Sequence, residues 1–198
     1  MSHAPLLPLD GSAVQDVEPE DARYSSSLRL LHWIRAILVL GMLSAGWLMT
    51  RLEDVVPSKY GTIYPLHKSF GLLLLGLVVI QIIIRLRTRL PKSSEILAPW
   101  EKHLAKLTHA TIYLLLVAVP LMGYAMSSSY SHSDGITLFG LPVAELLPKN
   151  DTRFAMFQWL HRTMAYGLLA LMALHVAGVV KHRYFDKRPG SDVLRRML

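Results

Sequence analysis

Residues 160 to 175 read "LHRTMAYGLLALMALH", which places His161 and His175 fourteen positions apart in a run otherwise almost free of charge. Imidazole is the side chain suited to ligate a transition metal or to carry a proton near neutral pH. Fourteen helical residues make about four turns, so the two rings share a face to within roughly 40° and stand about 21 Å apart along the axis. One seam therefore carries two sites at different depths.

Two further histidines have the same character, His32 in "LLHWIRA" and His67 in "YPLHKSFG". What positions them is a set of four apolar stretches, residues 30–50, 66–85, 107–127 and 158–180. Each approaches the ~20 apolar residues that a membrane-spanning helix needs. A soluble bundle with buried helices is the competing reading. Against it, residues 72–84 ("LLLLGLVVIQIII") offer only Gln81 as a polar side chain and show no polar helical face. With 52% apolar and 18% charged residues, the 198-residue chain reads as an all-α membrane protein, a four-transmembrane-helix bundle with no room for a second domain.

Lysine and arginine set the orientation. The link between the second and third spans carries Arg85, Arg87, Arg89, Lys92, Lys102 and Lys106, and the residues after the fourth carry Lys181, Arg183, Lys187, Arg188, Arg195 and Arg196. The other two links mix Arg51, Lys59, Lys149 and Arg153 with Glu53, Asp54, Asp134, Glu145 and Asp151. Both termini are thus expected in the cytoplasm, in a multi-pass protein of the cell inner membrane. The net charge of +7 becomes a topology signal, which removes support for nucleic-acid binding. Residues 1–23 read as a flexible cytoplasmic tail without the basic and apolar regions of a signal peptide, 24–187 as the membrane domain and 188–198 as a cytoplasmic tail.

Depth along the spans pairs His32 with His175 on the cytoplasmic side and His67 with His161 on the outer side. A single such ring can equally be bonded to a backbone carbonyl, but polar groups at membrane depth are costly, and two matched pairs call for a common cause. The spans lack the inward glutamates of a di-iron site, and structural zinc would need four ligands at one place. With no cysteine, thiolate clusters and covalently attached haem are excluded. Two non-covalent b-type haems, each held by two histidines, account for the pattern economically.

Other residues fall into place around such a pair of cofactors. Gly46, Gly71 and Gly167 lie on the histidine seams, where a missing Cβ admits a flat ring or simply closer helix packing. Arg35 and Arg85 can meet the propionates of the inner haem, and Lys68 and Arg162 those of the outer one; Arg85 reads equally as a positive-inside flank. His109, near the inner pair, can exchange protons with a bound quinone or can be a packed ring without a role. His3, His103, His132 and His182 are expected in solvated loops or tails.

The stretches "LRLLHWIRAILVLG", "LHKSFGLLLL", "LTHATIYLLLVAVPLMGY" and "LHRTMAYGLLALMALHVAGVVKHRYF" together resemble the bacterial cytochrome b561 family. The resemblance is more distant to the cytochrome b subunits of nickel–iron hydrogenases and formate dehydrogenases. It rests on the order of His-Trp in the first span, His-x-x-x-Gly in the second and His-x13-His in the fourth. The resemblance implies two b haems with His32 and His175 on one iron and His67 and His161 on the other. It also implies single-electron transfer to or from ubiquinone in the respiratory chain, with superoxide:ubiquinone oxidoreductase as one activity of the family. The sequence departs from the family in having Gln81 where an arginine often stands and Arg35 where the position is often apolar, which suggests an exchanged counter-ion for the inner haem. Alternative readings are a quinone-linked cytochrome subunit serving a redox partner protein, and a haem-free membrane scaffold or small transporter, which would be colourless.

Overall fold

The computed structural model describes residues 23–88, 96–188 and 190–198. Residues 1–22, Arg89 and Lys92 lie outside that set. Four helices are long and apolar enough to cross a membrane: α1 (Ser26–Arg51), α2 (Tyr64–Arg87), α3 (Pro99–Ser129) and α4 (Asp151–Val180). A π turn, Lys59–Ile63, leads into α2, and a second, Lys181–Phe185, prolongs α4.

The helices extend past the apolar windows because their ends carry chain-starting chemistry that hydropathy does not register. Pro99 occupies the first turn of α3, and Glu101 accepts the Ala98 backbone N–H at 2.9 Å. Asn150 caps α4 by accepting the Arg153 N–H at 2.9 Å. Residues 99–106 are therefore helical, which corrects the placement of His103 in a loop. His182 is likewise held in the π turn after α4, 3.2 Å from Asp186, and is not in a free tail.

Neighbours in sequence pack as neighbours in space, α1 on α2, α2 on α3 and α3 on α4. Ile37, Leu114, Trp159 and Val176 stand on outward faces, as lipid contact requires. The buried centre consists of Val39, Leu74, Val78, Leu116 and Leu168. Val39 follows His32 by seven residues, Leu74 follows His67 by seven, and Leu168 is midway between His161 and His175. This apolar layer thus separates the two histidine levels.

Two features close the ends of the bundle. At the end that carries His67 and His161, termed outer after the orientation expected from the charges, strands β1 (Ile136–Leu138) and β2 (Leu141–Val143) form an antiparallel hairpin that packs on α2. Its turn residues Phe139 and Gly140 both have positive φ, 50° and 91°, the combination that matches strand twist in a two-residue hairpin. The strained Phe139 is pinned because its N–H bonds Ser69 Oγ at 3.0 Å and its ring meets the Phe70 ring edge-on at 5.1 Å.

At the other end, the chain after α4 folds back beneath α1 through a 3₁₀ turn, Val193–Met197. Trp33 Nε1 donates to the Met197 carbonyl at 2.9 Å, and the Tyr24 N–H to that of Arg196 at 3.1 Å. The described residues of 188–198 are thus docked on the start of α1.

Candidate functional site

Helix α4 places His161 and His175 at two levels, and each meets a ring from another helix. The His67 and His161 ring centres are 6.2 Å apart, and those of His32 and His175 are 6.5 Å apart. An iron held between two imidazoles by bonds of about 2 Å, with each ring centre about 1.1 Å behind its nitrogen, needs a separation of about 6.3 Å. Both pairs have that spacing. His109 also approaches His175, at 5.0 Å, too close for a metal to sit on the line between them.

The outer ring is aimed by a hydrogen bond. His161 Nδ1 lies 2.8 Å from the Val119 carbonyl, which can only accept, so the proton resides on Nδ1 and Nε2 keeps its lone pair. Gly123, one turn beyond Val119, makes this approach feasible: a Cβ there would lie 3.0 Å from His161 Cε1 and 3.1 Å from Nδ1. Gly46 faces the other ring less tightly, since a Cβ there would make ordinary contact with His67 Cε1 at 3.5 Å. His67 Nδ1 is buried without a hydrogen-bond partner, a condition that costs roughly 1–3 kcal/mol until a partner is supplied. Next to His67, an apolar cavity of about 500 Å³ opens between α1 and α2, lined in part by Gly41, Met42, Ala45 and Phe70.

Other polar residues distribute as follows. Lys68 is half-buried and donates to the Gly135 carbonyl at 3.0 Å, so its ammonium is tied to the outer hairpin. Arg162 is exposed. A Cβ at Gly71 or Gly167 would make ordinary contact with Met42 or Leu115, at 3.6 and 3.9 Å. Arg35 is buried beside His32, its Nη2 3.5 Å from Nδ1.

Gly123 and Tyr113 escaped the reading of the sequence. Gly123 stands in "PLMGYAM" on a helix that carries no histidine of either pair, so no motif marks it. Tyr113 follows His109 by one turn and has Arg35 and Arg85 over its ring, at 5.0 and 5.6 Å.

Four apolar spans presenting facing imidazoles to their interior constitute the build of a membrane cytochrome b. The sequence family described as prokaryotic cytochrome b561 matches residues 23–198. "Cytochrome b561 homolog 2" of Escherichia coli (strain K12) is 31% identical over 179 residues, covering 89% of this chain and 91% of that protein. "Probable superoxide oxidase CybB" of Yersinia pestis is 27% identical over 177 residues, covering 89% and 96%. "Cytochrome b561 homolog 1" of Escherichia coli (strain K12) is 27% identical over 180 residues, covering 89% and 97%. The chain belongs to the prokaryotic cytochrome b561 family, whose members are integral membrane electron-transfer proteins and whose cofactor is haem b.

The residues present fit that cofactor. The imidazole spacings suit an iron shared by each pair, the His161 tautomer leaves a nitrogen free for a metal, and Gly123 leaves room for the His161 ring.

Proposed function

We propose that this chain is a di-haem cytochrome b that passes single electrons to ubiquinone, with superoxide as donor, in the manner of a superoxide:ubiquinone oxidoreductase. The observation that carries the reading is the two imidazole pairs, 6.2 and 6.5 Å between ring centres, on either side of the apolar layer through Leu168. The name of the Yersinia pestis relative supports superoxide as substrate, and that relative covers nearly the whole chain.

In this reading His67 and His161 hold the outer haem, and His32 and His175 the inner one. The haems supply reversible one-electron storage at two depths. In the balanced reaction two superoxide anions each surrender one electron and leave as oxygen. The two electrons, with two protons, convert ubiquinone to ubiquinol. The inner membrane, with both termini in the cytoplasm, places the His67–His161 level toward the outside.

The chain's own residues bind, orient and move protons. The Lys68 ammonium, next in sequence to His67, and Arg162, next to His161, attract a small anion toward the outer level. That pull is short-ranged, because the outer links carry acids as well as bases and some of them pair off, Asp54 with Lys59 at 2.6 Å and Glu145 with Lys149 at 2.5 Å. Arg35 and Arg85 supply positive charge at the inner level. His109, at the exposed edge of that level, exchanges protons with quinone.

The test is stopped-flow absorbance of the detergent-purified, oxidised protein mixed separately with superoxide and with a ubiquinol. Rapid growth of reduced b-haem bands with superoxide, followed by their decay on adding ubiquinone, is the expected result. Reduction by ubiquinol alone assigns the chain to quinone-linked electron transfer for another partner, and a colourless protein overturns the haem reading altogether.

A further inference from the structure

Within the membrane depth of α1 to α3 lies a polar cluster without a partner of its own. Arg35 of α1 and Gln81 of α2 are 7% and 3% exposed, so both are almost wholly removed from solvent. Arg35 Nη1 and Gln81 Oε1 are both buried without a hydrogen-bond partner. The two converge on Tyr113 of α3: Arg35 lies over its ring, and Gln81 Nε2 donates to its hydroxyl at 3.2 Å. Arg85 comes over the same ring. Among the described residues no carboxylate pairs with either arginine.

A buried guanidinium without a counter-ion is expensive, and a carboxylate is the group whose geometry a guanidinium matches. The Gln81 bond uses one acceptor position of the Tyr113 oxygen and leaves its O–H free to donate. The cluster thus offers guanidinium N–H and phenol O–H donors side by side. Its place is next to the inner histidines: Arg35 touches His32, and His109, one turn before Tyr113, has its ring 5.0 Å from that of His175.

We propose that Arg35, Arg85 and Tyr113, with Gln81 fixing the tyrosine hydroxyl, form a buried carboxylate site that takes a propionate of the inner haem. This inference rests on the haem reading above. Tyr113 and Gln81 are positioning residues in it. The ring of Tyr113 gives both guanidiniums a common platform. Helix α3, which carries no histidine of either pair, thereby organises the charge of the inner one.

The experiment is a potentiometric titration of the purified full chain, wild type against Arg35→Leu, Arg35→Lys and Tyr113→Phe. Loss of a cation beside the inner haem disfavours its reduced form. Arg35→Leu is expected to change the oxidised-to-reduced ratio of the inner haem at least tenfold at fixed potential, a fall of about 59 mV for one electron. Tyr113→Phe keeps the platform and removes the donor, and is expected to move the ratio two- to fivefold in the same direction. The outer haem stays put in both. Loss of the inner haem alone from Arg35→Leu, with its retention in Arg35→Lys, supports the same anchoring.

Unchanged potentials with a tenfold slower reaction with ubiquinol mean that the site holds a quinone head, and overturn the proposal. No change in either measurement overturns it as well. A wild-type protein without haem refutes the parent reading, whereas normal haems with indifferent potentials refute this inference only.

Discussion

His67 on α2 and His161 on α4 face each other with ring centres 6.2 Å apart, and the second of these rings is oriented by the Val119 carbonyl of α3. Three helices therefore cooperate in one pair. The inner pair, His32 and His175, has nearly the same spacing at 6.5 Å, with Arg35 and His109 as its polar neighbours.

The levels are separable by mutation. His67→Ala or His161→Ala is expected to abolish the outer haem and keep the inner one, and His32→Ala or His175→Ala the reverse. Haem-to-protein ratio and redox-resolved spectra of the four variants check this, and equal loss of both haems from every variant would refute independent sites.

Gly123 makes a sharper case, because it touches no iron. An added Cβ at 3.0 Å from His161 Cε1 must shift the ring by a few tenths of an ångström and so strain its bond to the Val119 carbonyl. Gly123→Ala is expected to cost about 1–3 kcal/mol by overpacking and to deplete the outer haem selectively. Gly178→Ala, whose Cβ would meet nothing within 4 Å, is the control. Thermal melts and haem occupancy of the two variants give the comparison.

Ser69 clamps the outer hairpin to α2. It is 2% exposed, donates to the Thr137 carbonyl at 2.9 Å and accepts the Phe139 N–H at 3.0 Å. Ser69→Ala leaves both backbone groups short of a partner, a loss of roughly 1–3 kcal/mol. Faster protease cleavage within residues 130–150, with α-helical content retained, is the expected outcome.

The docked segment after α4 has an acid-sensitive anchor. The Arg188 guanidinium, aided by its backbone N–H and by His182, holds the Asp186 carboxyl well below the ordinary carboxylate range. A depressed native value contributes stability above the unfolded carboxylate value, about 3.9, and loses it as pH falls through the native value. Trp33, bonded to the Met197 carbonyl, reports on the docking. Its fluorescence should be constant from pH 8 to about 5 and change only in stronger acid, and Asp186→Asn should remove that transition.

The spans and the histidine levels were legible in the sequence because, in a spanning helix, position along the chain is depth, at about 1.5 Å per residue. Rotation and docking are not written that way. That Gly123 of α3 faces His161 of α4, or that Arg35 and Gln81 meet over Tyr113, depends on how each helix is turned toward its neighbours, and spacing within one helix leaves that angle open. The same limit hid the hairpin held by Ser69 and the return of Met197 to Trp33, which join residues 70 and 164 positions apart. Composition and periodicity determined which residues lie at which level of the membrane; only the packing of the four helices decided which of them touch.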